Sequence, residues 1–498
     1  MSKNRKAGIL LHITSLPTEY GIGTLGKEAY QFIDFLKESK QSIWQVLPLV
    51  PTNYGDSPYQ SVSSSALNYY LLDLDILYEK GLLLKKDCQE LKSTSNSKRV
   101  NYSLLFEKKI PLLKKAFSNF NIDDDFKNFV KQGKYKDFAI FMTIKAMHNY
   151  VSFDKWNDKY RVYSDKLCDE IINEHNDDYL FWIWTQYEFL SQWNSLHKYA
   201  KKNGIQIMGD IPLYIAYDSV EVWKYPQMFI LNSDNSLKLV AGCPPDGFTA
   251  DGQLWGNPVY DWQYMKKDNY SFWNNRLKNA FELYDIVRID HFRGFDRFYA
   301  VSSTEKTARN GKWLDGPKFD LFKDKLDLNI VAEDLGVIDD GVRLLMKQTN
   351  YPGMKIMQFA FDGNSDNEHK PSNFTENFVV YIGTHDNEPM LSYIKNLDDE
   401  RYKIFKNDMI KQCKLLNVPY NGNCNKALVN TMVELGYASV AKYAIFTMQD
   451  LLALDIDSRM NLPSTVSTDN WSYRISKKDL SDKLKERLAS YSKKYKRS

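Results

Sequence analysis

Short apolar segments that end in polar, glycine or proline residues recur along the chain and alternate with helical stretches. The apolar segments lie at residues 8–13, 43–49, 205–211, 286–290, 330–333, 354–359, 378–383 and 444–449. Most of them lack an alternation of apolar and polar residues, which is typical of parallel strands covered on both sides. Helical periodicity lies between them, for example at residues 28–37, 179–201 and 339–348. About eight strand–helix units predict an α/β fold, a (β/α)8 TIM barrel.

Two long insertions interrupt this pattern. We expect residues 1–498 to form a single catalytic barrel domain with a lysine-rich helical subdomain inserted at about residues 75–200. A second, loop-rich insert at about residues 213–284 contains many glycine, proline and tryptophan residues, and its loop at residues 244–258 is expected to act as a lid. Because loops after barrel strands lie at the catalytic face, both inserts are expected to overhang the active site. Near the end of the chain, Leu480, Leu484 and Leu488 have helical spacing and predict a surface helix.

Composition and charge restrict the classes of function. Hydrophobic residues make up 43% and charged residues 26% of the 498 residues, which excludes general disorder. The net charge of +3 is too small for a nucleic-acid-binding surface on a chain of this size. No apolar run approaches the roughly 18 residues of a membrane span, and the apolar stretch near the N-terminus is too short for a signal peptide. We therefore expect a soluble, cytoplasmic protein without nucleic-acid or membrane partners.

Aromatic residues are unusually frequent, at 14% of the chain. A large aromatic core would account for many of them. Some could instead line a cleft for a sugar, because the C–H faces of sugars stack on rings while their hydroxyls take polar partners. Composition leaves both interpretations open.

Acidic residues stand at or just after the ends of several predicted strands. They are Asp210 in QIMGD, Asp290 in IVRID, Glu333 in IVAED and Asp386 in GTHDNE. In a parallel barrel these positions point into one cup at the C-terminal face. A lone acidic residue there is usually a helix N-cap or a loop hydrogen-bonder. Several at equivalent positions favour a functional cluster, because converging carboxylates repel one another unless chemistry or a cation uses them.

Two of these acids differ in their expected surroundings. Arg288 and Asp290 lie two residues apart, so both side chains face the same side of a strand, and the guanidinium favours the ionised form that a nucleophile requires. Glu333 has only Val331 as an inward neighbour on its own strand, so we expect that nothing local favours its charged form. Burial is then expected to keep its carboxyl protonated, as a general acid requires. One ionised and one protonated carboxyl suit glycoside cleavage. A purely structural Arg288–Asp290 ion pair is the alternative.

Other chemistries have weaker support in the sequence. The acids lack the D-x-D-x-D-G spacing of a calcium loop, and His291 and His385 do not form an H-x-x-x-H pair, so a catalytic metal is not expected. The cysteines form no C-x-x-C pair, which argues against a disulfide framework and a cysteine-ligated zinc site. Phosphate chemistry would call for a GxxxxGK[ST] loop, and the chain has none.

Motifs along nearly the whole chain resemble, in the same order, those of the 4-α-glucanotransferases (amylomaltases or disproportionating enzymes) of glycoside hydrolase family 77. They are SLPTEYGIGTLG, YGDSPYQS, GDIPLYIAYDS, PPDGFTADGQLWGNPVYDW, VRIDHFRGF, VAEDLGVI, PGMKIMQFAF, GTHDNE and RMNLPSTVSTDNW. The resemblance runs from about Gly8 to Arg474. It implies a retaining double displacement on α-1,4-glucans and maltooligosaccharides, with glucose as an acceptor and with no metal or organic cofactor.

The resemblance also implies roles for individual residues. Asp290 matches the nucleophile, Glu333 the acid/base, and Asp386 the third carboxylate, which binds sugar hydroxyls and stabilises the oxocarbenium-like transition state. Positions that match substrate-binding residues are Tyr54, Ser57, Tyr59, Asp210, Gln253, Trp255, Arg288, His385 and Asn461. Structural alternatives remain for some of them, since Trp255 could simply plug the base of its loop and His385 could merely orient Asp386.

The sequence departs from the family pattern away from the three carboxylates. Leu67 and Tyr69 are atypical in a stretch where the family usually has Gly–Asn–Pro. In the expected lid, Gly247 stands where a bulky aromatic is common and Ala250 where an acidic residue is often found, and Ser464 replaces a usual glycine. These departures leave chain-length preference and cyclisation open. An α-glucan hydrolase with the same carboxylates and a non-catalytic glucan-binding protein are the alternative functions, and the intact carboxylates argue against the second.

Overall fold

Strands and helices alternate along the chain. The computed structural model describes residues 5–94, 98–245 and 250–497. The strands are β1 (Lys6–Leu10), β2 (Ile43–Gln45), β3 (Gln206–Ile211), β4 (Leu239–Cys243), β5 (Gln253–Pro258), β6 (Ile286–Ile289), β7 (Arg297–Ser302), β8 (Lys312–Asp315), β9 (Ile330–Ala332), β10 (Gly353–Ile356), β11 (Phe378–Tyr381) and β12 (Tyr443–Thr447). The helices are α1 (Lys27–Glu38), α2 (Leu74–Glu79), α3 (Lys85–Thr94), α4 (Tyr102–Leu104), α5 (Ile110–Ser118), α6 (Asp124–Lys131), α7 (Lys136–Met147), α8 (Asp158–Arg161), α9 (Asp165–Glu174), α10 (Asn176–Lys202), α11 (Val220–Lys224), α12 (Trp262–Lys266), α13 (Ser271–Leu283), α14 (Asp340–Thr349), α15 (Met390–Lys395), α16 (Asp399–Leu416), α17 (Asn425–Ala438), α18 (Met448–Leu451) and α19 (Asp482–Tyr495).

A parallel sheet in the order β10-β11-β12-β1-β2-β3-β6-β9 forms the centre of the fold. The Ala332 N–H donates a hydrogen bond of 2.9 Å to the Pro352 carbonyl, which connects the two ends of this order and closes the barrel. Strands such as β6 and β12 are buried at every residue, which explains their continuous apolar sequence. The predicted TIM barrel is confirmed, and each predicted strand overlaps an observed one.

Some predicted strands run too far at their C-terminal ends. The segment predicted at residues 8–13 pairs only to Leu10, and a 3₁₀ turn follows at Ile13–Ser15. The segment predicted at residues 354–359 pairs only to Ile356, and the turn Met357–Phe359 follows. Ile13 and Met357 are fully buried in these turns, so the apolar run continues beyond the last strand hydrogen bond.

Amphipathic helices cover the barrel where helical periodicity predicted them. In α1, Phe32, Ile33 and Leu36 are fully buried, and they follow the three- and four-residue spacing of a helix face. In α19, Leu484 and Leu488 are buried as predicted. Leu480 lies before this helix, at the end of a 3₁₀ turn, and is only partly buried, so its place on the helical stripe was predicted wrongly.

The segment between β2 and β3 is mainly helical and contains α2 to α10. Its core includes the fully buried Leu113, Phe126 and Trp184. This segment also contacts the C-terminal part of the chain, because the Val100 N–H donates a 2.7 Å hydrogen bond to the Ser472 carbonyl.

A second, antiparallel sheet in the order β5-β4-β7-β8 lies outside the barrel. The sequence pattern did not predict it, because β4 and β5 come from the loop after β3, whereas β7 and β8 come from the loop after β6. Residues 253–258, which were expected to be part of a loop, form β5. The expected lid at residues 244–258 lies partly outside the described residues, since 246–249, including Gly247, are not among them.

Within the described ranges, no helix is both long enough and apolar enough to cross a bilayer.

Candidate active site

Strand register brings the first carboxylates together. Asp210 on β3 pairs directly with Arg288 on β6. The Arg288 Nη1 donates to Asp210 Oδ2 at 2.6 Å, and its Nη2 donates to Asp290 Oδ1 at 2.8 Å. Asp290 follows the last residue of β6, and its N–H donates to the Ile211 carbonyl at 3.0 Å. The guanidinium therefore bridges two carboxylates at the C-terminal ends of neighbouring strands.

The two carboxylates held by Arg288 differ in exposure. The side chain of Asp210 is 0% exposed and that of Asp290 is 30% exposed. Burial lowers the pKa of Arg288, but Asp210 and Asp290 more than offset this and raise it well above its usual range. Burial raises the pKa of Asp210, and the charge of Arg288 opposes that rise. Arg288 therefore stays charged, and Asp290 is the partner that is open to a ligand.

Glu333 lies one residue beyond β9 and is buried. Its Oε2 accepts a hydrogen bond from the His291 N–H at 2.7 Å, and its Oε1 accepts one from the Leu335 N–H at 2.8 Å. Burial, reinforced by the charge of Asp290, raises the pKa of Glu333 to about 8. The expectation that nothing local favours its charged form was wrong, because both backbone N–H groups do. Burial outweighs them, so the carboxyl holds its proton at pH 7.

His291 connects the carboxylates to the second sheet. Its backbone is in the left-handed region, with φ of 50°, and the residue is partly buried. Burial lowers the pKa of His291 to about 4, so the ring is neutral at pH 7. The ring of Trp255 on β5 packs edge-on against it, with 4.8 Å between centroids. Trp255 Nε1 donates to Gln253 Oε1 at 3.1 Å, and Gln60 Nε2 donates to the Trp255 carbonyl at 3.2 Å.

Asp386 lies beyond β11, held by a segment from the C-terminal part of the chain. Asn461 Nδ2 donates to Asp386 Oδ1 at 2.6 Å, and the Asn461 N–H donates to the His385 carbonyl at 3.1 Å. Arg459 Nη2 donates to the Asp386 carbonyl at 2.6 Å. His385 Nε2 lies 3.4 Å from Asp386 Oδ1. With 46% of its side chain exposed, Asp386 can still contact a ligand.

Tyr59 contacts both halves of the site, the half around Arg288 and the half around Asp386. Its hydroxyl donates to Asp210 Oδ2 at 2.8 Å, and its ring stacks on that of His385 with 5.1 Å between centroids and 12° between planes. Burial raises the pKa of Tyr59 well above its usual range, so the hydroxyl remains a donor at neutral pH.

Tyr54 and Ser57 lie at the margin of this network. Tyr54 starts the 3₁₀ turn Tyr54–Asp56 and is 69% exposed, so its ring offers a free face to solvent. Ser57 Oγ accepts a hydrogen bond from the Tyr59 N–H at 3.1 Å, which shapes the turn that carries Tyr59.

Three residues of the network were not predicted from the sequence. Gln60 binds both the Trp255 carbonyl and Asn257 Oδ1, Arg459 binds the Asp386 carbonyl, and Trp471 packs against Tyr59 and His385. All three lie inside motifs that carried the family resemblance, and membership of these motifs was the one feature of the sequence that could have indicated them.

The arrangement is suited to chemistry with two carboxyl groups. Asp290 is open and ion-paired, whereas Glu333 is buried and protonated, which is the combination that a nucleophile and a general acid require in glycoside cleavage. In the part of the chain that the structure describes, no three His, Cys, Asp or Glu side chains are grouped so that they could hold a metal ion.

Comparison with known proteins decides the family. The family model of glycoside hydrolase family 77, described as 4-alpha-glucanotransferase, matches residues 11–480. The chain belongs to this family. It is 43% identical over 487 residues to the 4-alpha-glucanotransferase of Clostridium butyricum, a match that covers 96% of this chain and 98% of that protein. It is 38% identical over 503 residues to the 4-alpha-glucanotransferase of Thermus thermophilus, which covers 98% of each.

Solved structures agree with this assignment to the 4-alpha-glucanotransferase family. The amylomaltase from Streptococcus agalactiae, solved in complex with acarbose, is 40% identical and matches with a TM-score of 0.93 over 99% of this chain and 100% of that chain. The amylomaltase from Corynebacterium glutamicum is 16% identical with a TM-score of 0.79, a likeness of fold alone. The family resemblance found in the sequence is confirmed.

Proposed function

We propose that this enzyme is a 4-α-glucanotransferase that moves a segment of an α-1,4-glucan to the 4-position of glucose or of another glucan. One observation carries the proposal. In a member of the 4-alpha-glucanotransferase family, the site contains both an exposed Asp290 that is ion-paired with Arg288 and a buried, protonated Glu333. The α-1,4-glucans and maltooligosaccharides are the substrates, and no metal or organic cofactor takes part in a step.

In the first step, Asp290 attacks the anomeric carbon of the donor sugar. Arg288 binds Oδ1, so Oδ2 is the oxygen that forms the new bond. The bond from the anomeric carbon to the glycosidic oxygen breaks at the same time, and Glu333 gives its proton to that oxygen. The products are a covalent glycosyl-enzyme, a released sugar with a free 4-hydroxyl, and an ionised Glu333.

In the second step, Glu333 acts as the base. The 4-hydroxyl of an acceptor attacks the anomeric carbon from the face that the leaving group occupied, and its proton passes to Glu333. The bond to Asp290 breaks, and both carboxyl groups return to their starting states. Two inversions leave the α configuration unchanged. A pKa near 8 suits both duties, because proton loss and gain are then similarly accessible near neutral pH.

The other side chains bind and orient the sugar. Asp386 keeps one oxygen on Asn461 and has an exposed face for sugar hydroxyls, where its charge stabilises the oxocarbenium-like transition state. Tyr59 and His385 stack on one another beside Asp386, and we assign them to the same sugar. Tyr54, Gln253 and Trp255 are assigned to sugar contacts farther from the carboxyls, and Ser57 and Asp210 to holding Tyr59 and Arg288.

Transfer requires that an acceptor sugar outcompetes water. Water is present at roughly 55 M, so hydrolysis would win unless the site holds an acceptor in place and excludes solvent. Strand β5 places Trp255 beside His291, whose backbone N–H donates to Glu333. We assign the acceptor sugar to this side of the cleft.

Isotope exchange tests the assignment of glucose as an acceptor. Maltoheptaose is incubated with ¹³C-glucose, the oligosaccharides are separated, and their masses are measured by mass spectrometry. Incorporation of the label into maltose and longer chains supports the proposal, because only glycosyl transfer to glucose introduces it. Oligosaccharides that stay unlabelled while glucose accumulates would show hydrolysis. A cytoplasmic location stays a prediction from the sequence.

A further inference from the structure

Three aromatic rings meet between the two halves of the site. The rings of Tyr59, His385 and Trp471 lie 5.1 to 5.7 Å apart by their centroids, close to an equilateral triangle. Tyr59 and His385 are nearly parallel, and Trp471 is tilted by 41° against each of them. One indole therefore lies across the edges of the stacked pair and limits rotation of both rings.

The backbone of Trp471 is fixed in an uncommon conformation. Its φ of 61° lies in the left-handed region, where a bulky side chain is rarely found unless surrounding contacts hold it. Its N–H donates to the Met460 carbonyl at 2.7 Å, and its carbonyl accepts from the Tyr102 hydroxyl at 3.1 Å. Tyr102 belongs to α4 and is itself buried, so the helical segment between β2 and β3 anchors the backbone that carries the indole.

The same contacts connect Trp471 to Asp386. Met460, which binds the Trp471 N–H, is followed by Asn461, which donates to Asp386 Oδ1. The Trp471 ring also packs against the ring of His385, whose Nε2 lies 3.4 Å from the same Asp386 Oδ1. Displacing the indole would therefore remove the packing on His385 directly, and it would loosen the Asn461 side through the backbone of Trp471, whose left-handed conformation this packing helps to hold.

We propose that Trp471 is a positioning residue for the reaction: it holds the imidazole of His385 and the loop of Asn461 so that Asp386 meets the sugar in one orientation. This inference rests on the proposed role of Asp386. We assign Trp471 no direct contact with the reacting atoms; it acts through its neighbours Tyr59 and His385. Its role is geometric, and an aromatic ring of smaller size should partly preserve it.

The test compares Trp471→Leu and Trp471→Phe with the control Trp184→Leu. Trp184 is a fully buried tryptophan on α10 that packs on Phe117 and Phe181, away from the carboxyls. Total cleavage of α-1,4 bonds in maltoheptaose is measured, by transfer and hydrolysis together, at a temperature well below the melting temperature of every variant. Rates are divided by the folded fraction from near-UV circular dichroism, and kcat and KM are determined separately.

We expect Trp471→Leu to lose about 10²-fold in kcat with a smaller change in KM, because a misplacement of about 1 Å at a reacting centre has an effect of this size. Trp471→Phe should recover to within about tenfold of the parent, and Trp184→Leu should stay within about threefold of it. The inference is overturned if Trp471→Leu is as active as Trp184→Leu, or if Trp471→Phe is no better than Trp471→Leu. If the parent protein cleaves no glucan, the proposed function itself fails before any variant is compared.

Discussion

Replacing Glu333 with glutamine should change the stability of the protein in a pH-dependent way. The pKa of Glu333 rises from the ordinary 4.5 to about 8 in the folded state. Between these two values the folded carboxyl holds a proton that the unfolded carboxyl has released, so the free energy of unfolding falls as pH rises. The slope is about 1.4 kcal/mol per pH unit. Relative to pH below 4.5, the free energy of unfolding has fallen by about 3 kcal/mol at pH 7, and the fall levels off at about 5 kcal/mol above pH 8.

The Glu333→Gln variant does not show this pH-dependent fall in the free energy of unfolding, because an amide does not titrate. It also introduces a conflict, since the Glu333 oxygens accept from the N–H groups of His291 and Leu335, and the NH₂ of glutamine must face one of these donors. One unsatisfied buried donor costs about 2 kcal/mol. Below about pH 6 the cost of the unsatisfied donor exceeds the parent's pH-dependent loss, so Glu333→Gln is less stable than the parent. Above about pH 6 the variant is more stable, by about 1 kcal/mol at pH 7 and about 3 kcal/mol above pH 8.

Urea-induced unfolding at pH 5, 6, 7 and 8.5 measures this difference. Glu486→Gln, which alters an exposed carboxyl on α19, is the control and should change the free energy of unfolding by less than about 0.5 kcal/mol at every pH. A difference between Glu333→Gln and the parent that is the same at all four pH values would refute the reasoning, because it would mean that Glu333 titrates alike in the folded and unfolded states.

Three further outcomes follow from the site. Asp290→Asn should lose about 10⁴-fold or more in rate, and a glycosyl fluoride should label Asp290 in a Glu333→Gln background, as peptide mass spectrometry can check; label on any other carboxyl would contradict the assignment. In the parent, single-turnover rates of glycosyl-enzyme formation from maltoheptaose should fall as pH rises through about 8, where Glu333 loses its proton; a flat profile to pH 9.5 would argue against it as the acid. Arg288→Met should lower the free energy of unfolding by about 3–5 kcal/mol, because Asp210 is left buried without its partner, and Asp210→Asn in the same chain should restore part of it.

Most of the barrel could be predicted because parallel strands covered on both faces have a continuous apolar sequence. The positions of Asp210, Asp290 and Glu333 followed from the same pattern, since a polar residue that ends such a run lies at the barrel mouth. The two-residue spacing of Arg288 and Asp290 was enough to place their side chains on one face, and the 2.8 Å contact agrees with it.

Contacts that depend on register or on distant parts of the chain could not be predicted. The pairing of Asp210 with Arg288 requires the register of β3 against β6, and the packing of Trp471 on Tyr59 joins the two ends of the sequence. The antiparallel sheet was missed for the same reason, because its strands come from two separate loops and no local pattern links them. The backbone donors to Glu333 could not be predicted, since every residue except proline has an N–H and only the fold determines the direction in which it points.

The most direct test of the central claim is an incubation of the protein with maltotriose in which product sizes and total reducing ends are followed together. Each transfer breaks one α-1,4 bond and makes another, so the number of reducing ends stays constant. The proposed function predicts glucose together with maltopentaose and longer chains, with almost no rise in reducing sugar. A rise in reducing ends in step with bond cleavage, with no product longer than maltotriose, would show a hydrolase and contradict the proposed transfer.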